Sequence, residues 1–480
     1  MRAGTRTRFA AVMAAALSAT TLIAVGPAQA GPNAWTQLSL GGTLTNIDEP
    51  SVARVGKSLH VVWREAAADQ KESLRSRVVS GNGVAGTTIG TVVSGWDGLV
   101  ENPAIVASGG KPVVVFAGLR PGWQGQLKSA TYDGASWAEG ADVLAQDNSA
   151  YTGYGTAATD DAGTVVVGTN GSGGAVFVNK GVPPAAADVM TDQPGSQIDL
   201  ALARDRATGQ VWSAWHNLSN PTDAIGVKGL AVQPVYPAVG ARTKAPGSTD
   251  AAGNSVLPDR RIALAARDAA DGGVWVAYAV GYPTAQTIRV WKVGTSSAQT
   301  LRVGGNIRYI SLSAAPGGRM WLSWYDQNAK VLHATRSNPA VTAFGAIRTI
   351  VPPVRRGGET TVWNATSDGA LGPLDLVVSA QTGTGGNTIQ VWHNQILAAL
   401  SVKVAPVAVT AANGGAVTIT VTDAGVPVPG ATVAVLGRLY QSDSAGAVRI
   451  VVARRSAVGL KRIAASRAGY FPGAAALRVT

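Results

Sequence analysis

Pro50-Ser51-Val52-Ala53-Arg54-Val55-Gly56, running into Leu59-His60-Val61-Val62-Trp63, is the stretch on which the fold turns. Two short β-branched and aromatic runs flank a glycine turn, which reads as a hairpin of buried or half-buried strands. The same unit returns as Pro103-Ala104-Ile105-Val106-Ala107-Ser108-Gly109 followed by Val113-Val114-Val115-Phe116. It recurs at Thr156 to Thr159 with Val165 to Gly168, Ile198 to Arg204 with Val211 to Trp215, and Ile262 to Arg267 with Val274 to Tyr278. Ile310 to Ala314 with Met320 to Trp324, and Val362 to Thr366 with Leu374 to Ser379, bring the units to seven.

A third strand follows each pair, from Leu74 to Val79 in the first unit to Thr388 to Trp392 in the seventh. A fourth, less regular strand is expected at Thr88 to Val93, Trp137 to Leu144 and Phe344 to Ile350. Four antiparallel strands recurring at about 50 residues point to radially repeated blades. The fold class is therefore all-β: a β-propeller of seven blades, or six because of the insertion Pro237 to Pro258, plus a small C-terminal β-sandwich. The seventh unit lacks a fourth strand, and Trp35-Thr36-Gln37-Leu38-Ser39-Leu40 is placed to supply it, closing the ring and hiding both edges.

The ends of the chain differ in texture. Arg2, Arg6 and Arg8 precede an apolar run from Phe9 to Val25 and then Ala28-Gln29-Ala30, the pattern of a secretory signal peptide over residues 1–30. No later run reaches the roughly 18 apolar residues of a membrane span. The expected product is secreted, with a propeller over 31–397 and a sandwich over 398–480. Net charge divides unevenly: 28 Lys and Arg oppose 26 Asp and Glu over 31–397, but nine oppose two over 398–480. With no cysteine in the chain, thiol nucleophiles, thiolate metal sites and disulfides are excluded.

The strand-turn-strand units resemble the sialidase-like (BNR-type) β-propellers of secreted bacterial proteins. Asp133-Gly134-Ala135-Ser136-Trp137 matches only part of the Asp-box turn of that family, and no Arg-Ile-Pro motif is present. Beyond Pro406, the runs Gly425-Val426-Pro427-Val428-Pro429-Gly430, Asp443-Ser444-Ala445-Gly446 and Ala465-Ser466-Arg467-Ala468-Gly469-Tyr470 are similar to carboxypeptidase-regulatory-like and bacterial Ig-like domains. That resemblance implies a structural or adhesive module without peptidase activity.

In an antiparallel blade, the loops leaving the second strand share a face with the segments leading into the first. Loop residues on a rigid scaffold are where binding tends to reside. This nominates Glu49, Arg64, Glu65, Glu101, Arg120, His216, Asn217, Tyr325 and Asp326 as ligand-binding candidates. A glycosidase would need two carboxylates about 5 to 9.5 Å apart. Glu49, Glu65, Glu101 and Asp326 are the nominated carboxylates, and their positions match no sialidase pattern.

The triplets Trp215-His216-Asn217 and Trp392-His393-Asn394 end strands of opposite direction, so they do not form one site. With four histidines so dispersed, no metal or other cofactor is expected. Nucleic acid is disfavoured, because the large domain lacks a basic stripe. Arg454, Arg455, Lys461, Arg462 and Arg467 fall within fourteen residues and form a candidate polyanion- or wall-binding patch; a merely solvated surface is the competing reading.

The function expected is non-catalytic binding of extracellular carbohydrate or a cell-surface partner, with the basic module as spacer or adhesive. Two alternatives stand beside it: a sialidase-like glycoside hydrolase or lyase, and a scaffold for protein contacts.

Overall fold

The computed structural model describes residues 32–39, 50–66, 71–99, 103–119, 126–142, 155–159, 162–170, 176–181, 184–189, 197–217, 229–249, 262–281, 284–353, 360–382 and 389–480. The segment expected from sequence to be a signal peptide, residues 1–30, lies outside them. Every regular element among them is a β-strand.

The described residues between 36 and 396 form seven antiparallel sheets in chain order. The first comprises Ser51–Val55, Ser58–Ala66, Glu72–Val79 and Ala85–Trp96. Its register, Ser51 opposite Val62 and Leu59 opposite Val79, is the hairpin expected from the glycine turn. The second sheet carries an extra two-residue strand, Gly98–Leu99, beside Lys111–Leu119.

The continuous apolar runs are explained by burial on both faces. In the second sheet Val114 and Phe116 pack toward Val62 and Leu74 of the first, while Val113 and Val115 pack toward Val165 and Val167 of the third. Each such side chain contributes about 1.5–3 kcal/mol on leaving water. The same pairwise packing continues through the fourth to seventh sheets and returns from the seventh to the first. The first strands of all seven sheets line one axial cavity.

The N-terminal strand Thr36–Gln37 completes the seventh sheet, with Thr36 opposite His393 and Gln37 opposite Trp392. Leu38 is fully buried against Val377 and Val391 of that sheet and Leu59 and Val61 of the first. A buried charge network crosses the same junction. Arg54 of the first sheet reaches Asp368 at 2.6 Å and Asp375 at 2.5 Å, and His393 Nε2 lies 2.8 Å from Asp375.

Residues 401–479 form two more sheets over a single core, where Val417, Ile419, Val421 and Ile450 meet Val433, Val435, Ile463 and Leu477. Here one face of each sheet is exposed, so the strands alternate strictly. Thr418, Thr420 and Thr422 point away from the core that their neighbours enter.

This unit is docked on the sixth sheet. Asp423, almost fully buried, accepts Arg336 at 2.5 Å and lies 3.2 Å from Arg319. The Arg336 guanidinium also lies over the rings of Trp321 and Tyr470, at 5.6 and 5.5 Å from their centroids.

Two expectations are corrected. Part of the segment read as an insertion, Thr243–Lys244, pairs with Ala231 and Val232 as the outer strand of the fourth sheet. Two polar residues carry no alternation, so the strand is invisible to pattern. The outer strand of the sixth sheet is Arg348–Ile350, with Phe344 contributing only an isolated bridge to Ser337.

Candidate functional site on the sheet axis

The axis carries two described cavities. One, of about 220 Å³, is lined by the first strands of all seven sheets, at positions at or before those that line the other. Its polar groups are hydroxyls, and several are already engaged. Ser51 donates to the Pro103 carbonyl, Ser311 and Ser367 share a hydrogen bond of 2.8 Å, and Thr156 Oγ1 accepts the Leu202 amide. None of the described nominated residues borders it.

Those residues sit one strand further out and serve the fold. Arg64 donates to the Leu99 carbonyl and lies 3.7 Å from Glu72, which in turn accepts the Leu99 amide. Glu65 accepts Arg75 at 2.9 Å. Tyr325 is buried in the core between the sixth and seventh sheets, its ring stacked on Tyr309 at 6.1 Å. Asp326 caps its own turn, taking the amides of Asn328 and Ala329 at 2.9 and 3.0 Å and that of Asn306 at 3.4 Å.

His216 is buried, and desolvation pushes its pKa down to about 3, so its imidazole is neutral near pH 7. Asn217 ends the strand Val211–Asn217, and its side chain is outside the described set. Glu49, Glu101 and Arg120 are also outside the described residues. The structure thus gives Arg64 and Glu65, neighbours on one strand of the first sheet, separate partners in Glu72 and Arg75. It keeps His216 and the Tyr325–Asp326 pair apart on the fourth and sixth sheets.

The second cavity lies at the opposite end of the axis and measures about 350 Å³. That falls in the lower part of the range for small-molecule sites, about 300–1,000 Å³. Half of the residues lining it are alanine, which keeps the channel wide. On one side the fourth and fifth sheets present Arg204, Arg206, Arg267 and Asp268. Arg206 Nη1 stands 3.5 Å from Asp268, both largely exposed, while the mostly buried Arg267 is paired with Asp271. The turns that carry these groups approach closely. A Cβ on Gly272, at φ +49°, would stand 2.4 Å from the Asp205 carboxylate, so this position requires glycine.

Sequence reasoning missed this mouth because it favoured the other set of loops. The signal was present in the parallel turns Ala203-Arg204-Asp205-Arg206 and Ala266-Arg267-Asp268, which equivalent positions of two neighbouring units must bring side by side. The mouth supplies several forked donors and an acceptor around a water-sized to sugar-sized space. Among the described residues, no group of three or more His, Asp and Glu is placed to hold a metal.

No family model matches the chain, and no curated protein matches it by sequence. Among solved structures it is similar to the polysaccharide lyase Uly1, with TM-score 0.44 and 9% identity over 73% of this chain and 90% of that one. It is also similar to the lectin SapL1, solved in complex with alpha methyl fucoside, with TM-score 0.40 and 14% identity over 64% of this chain and 98% of that one. A third similar structure is YCF48 bound to D1 peptide, with TM-score 0.43 and 13% identity over 78% of this chain and 99% of that one.

Proposed function

We propose that the protein is a secreted, non-catalytic carbohydrate-binding protein. In this reading the seven sheets are the blades of a sialidase-like propeller over 31–397, and the basic C-terminal unit over 398–480 is an Ig-like sandwich serving as adhesive. The observation that carries the binding role is the 350 Å³ axial cavity whose alanine walls give way on one side to Arg204, Arg206, Arg267 and Asp268. Guanidinium forks and a carboxylate are suited to the hydroxyls and acidic groups of a sugar. Binding without turnover is supported by the use to which the described carboxylates of the nominated face are put: Glu65 is paired with Arg75, and Asp326 caps a turn.

The test is a glycan array on the purified protein, with parallel assay for released reducing ends or unsaturated sugars. Binding without product is the expected result, and Arg206→Ala is expected to weaken it while leaving the fold intact, since Arg206 is mostly exposed. Product formation would reassign the protein as a hydrolase or lyase. Binding that survives Arg206→Ala but fails with Arg120→Ala would move the site to the nominated face.

A further inference from the structure

Residues 398–480 carry nine Lys and Arg and two Asp. One of those acids, Asp423, is buried beneath Arg319 and Arg336 at the junction with the sixth sheet. The other, Asp443, holds its own turn by accepting the amides of Ala445 and Ala447. Away from that turn, the exposed charge of the unit has one sign.

The five cations grouped by sequence do not make one surface. Lys461 is half-buried on the side of its strand that also carries Ile463 and Ala465, whereas Arg462 points to the outer face of the same sheet. Arg467 donates to the Pro429 carbonyl. Only Arg454 and Arg455 remain together, exposed in the turn after Ala447–Val452.

Strand register adds two cations to that pair. On the outer face of the sheet Ser401–Ala405, Gly415–Asp423 and Ala447–Val452, Lys403 lies opposite Thr420, and Thr420 opposite Ala447. The next outward row places Ala405, Thr418 and Arg449 side by side. Lys403 and Arg449 are thus two strands and one row apart, on the order of 12 Å. The Asp423 end of this sheet is fixed to the sixth sheet. Gly415, which pairs with Val452 just before Arg454, lies about 26 Å further along the strand.

We infer that this outer face docks an anionic polysaccharide, with Lys403, Arg449, Arg454 and Arg455 taking its carboxylate or sulfate groups. Thr418 and Thr420 offer hydroxyls to the sugar between them. Polysaccharide is favoured over single-stranded nucleic acid because the three strands contain no aromatic residue on which a base could stack. The inference rests on the adhesive reading of the C-terminal unit and specifies its face.

The full-length protein is titrated with heparin and with neutral dextran at physiological salt. Two variants with the same change in net charge are compared, each checked for a native melting transition. One is Lys403→Gln, Arg449→Gln, Arg454→Gln, Arg455→Gln; the other is Arg438→Gln, Arg462→Gln, Arg467→Gln, Arg478→Gln. The first is expected to bind heparin about tenfold or more weakly, with a shallower salt dependence. The second should bind nearly as the natural protein does, and dextran should not bind through this face. Equal losses in both variants overturn the face but leave the adhesive reading standing. No heparin binding by the natural protein overturns both. Tighter binding of single-stranded DNA than of heparin overturns the class of ligand.

Discussion

At His216 a side chain nominated for ligand contact is instead part of the packed interior. The unfolded chain protonates this imidazole near pH 6.5, whereas burial delays protonation in the fold to about pH 3. Its stability contribution is complete above 6.5 and declines by about 1.4 kcal/mol per pH unit as the pH falls toward 3. Burial lowers the pKa of His60 and His333 as well, so their effects carry the same sign. Urea denaturation at pH 7 and pH 5 should show a loss from His216 alone of about 2 kcal/mol. His216→Gln should flatten that dependence, and an unchanged slope would contradict a neutral buried imidazole. Asp326 and Tyr325 teach a related lesson. A polar pair at a strand end looks like a site in sequence, but the turn amides and the stack on Tyr309 use it first.

The strands themselves were largely legible, because burial on both faces demands apolar runs such as Val113-Val114-Val115-Phe116, and the glycine turns mark where each run must reverse. The two-residue strand Thr243–Lys244 was not, since its place is fixed by pairing with Ala231 and Val232 rather than by its own residues. The N-terminal strand is the element with the greatest leverage. Although Leu38 stands near the start of the described chain, it is as buried as any central core residue and touches both the seventh and the first sheets. Leu38→Ala should therefore cost about 2–5 kcal/mol, the scale of a core truncation rather than of a fraying terminus. Denaturation midpoints measure this directly. A cost near zero would mean that the ring does not depend on its closing strand.

At the scale of the molecule, the C-terminal unit is held by a buried acid between two arginines rather than by a loose tether. Asp423→Ala would strand Arg319 and Arg336 at the junction with the sixth sheet, costing about 3 kcal/mol. The natural protein should melt in one calorimetric transition, and the variant in two as the units uncouple. Two transitions in both proteins would show that the junction does not transmit stability.

The sequence by itself determined the all-β class, the seven recurring units, the closing role of the segment that runs through Thr36 to Ser39 and the concentration of positive charge beyond residue 397. All four are properties of local pattern: apolar spacing, turn residues and residue counts survive in one dimension. Only the tertiary structure decided which polar residues remain available. It buried His216 and Tyr325, spent Glu65 and Asp326 on neighbours, and set Arg204, Arg206 and Arg267 around one mouth of the axis. Whether a charge faces a ligand, a partner residue or the core depends on what the fold brings opposite it.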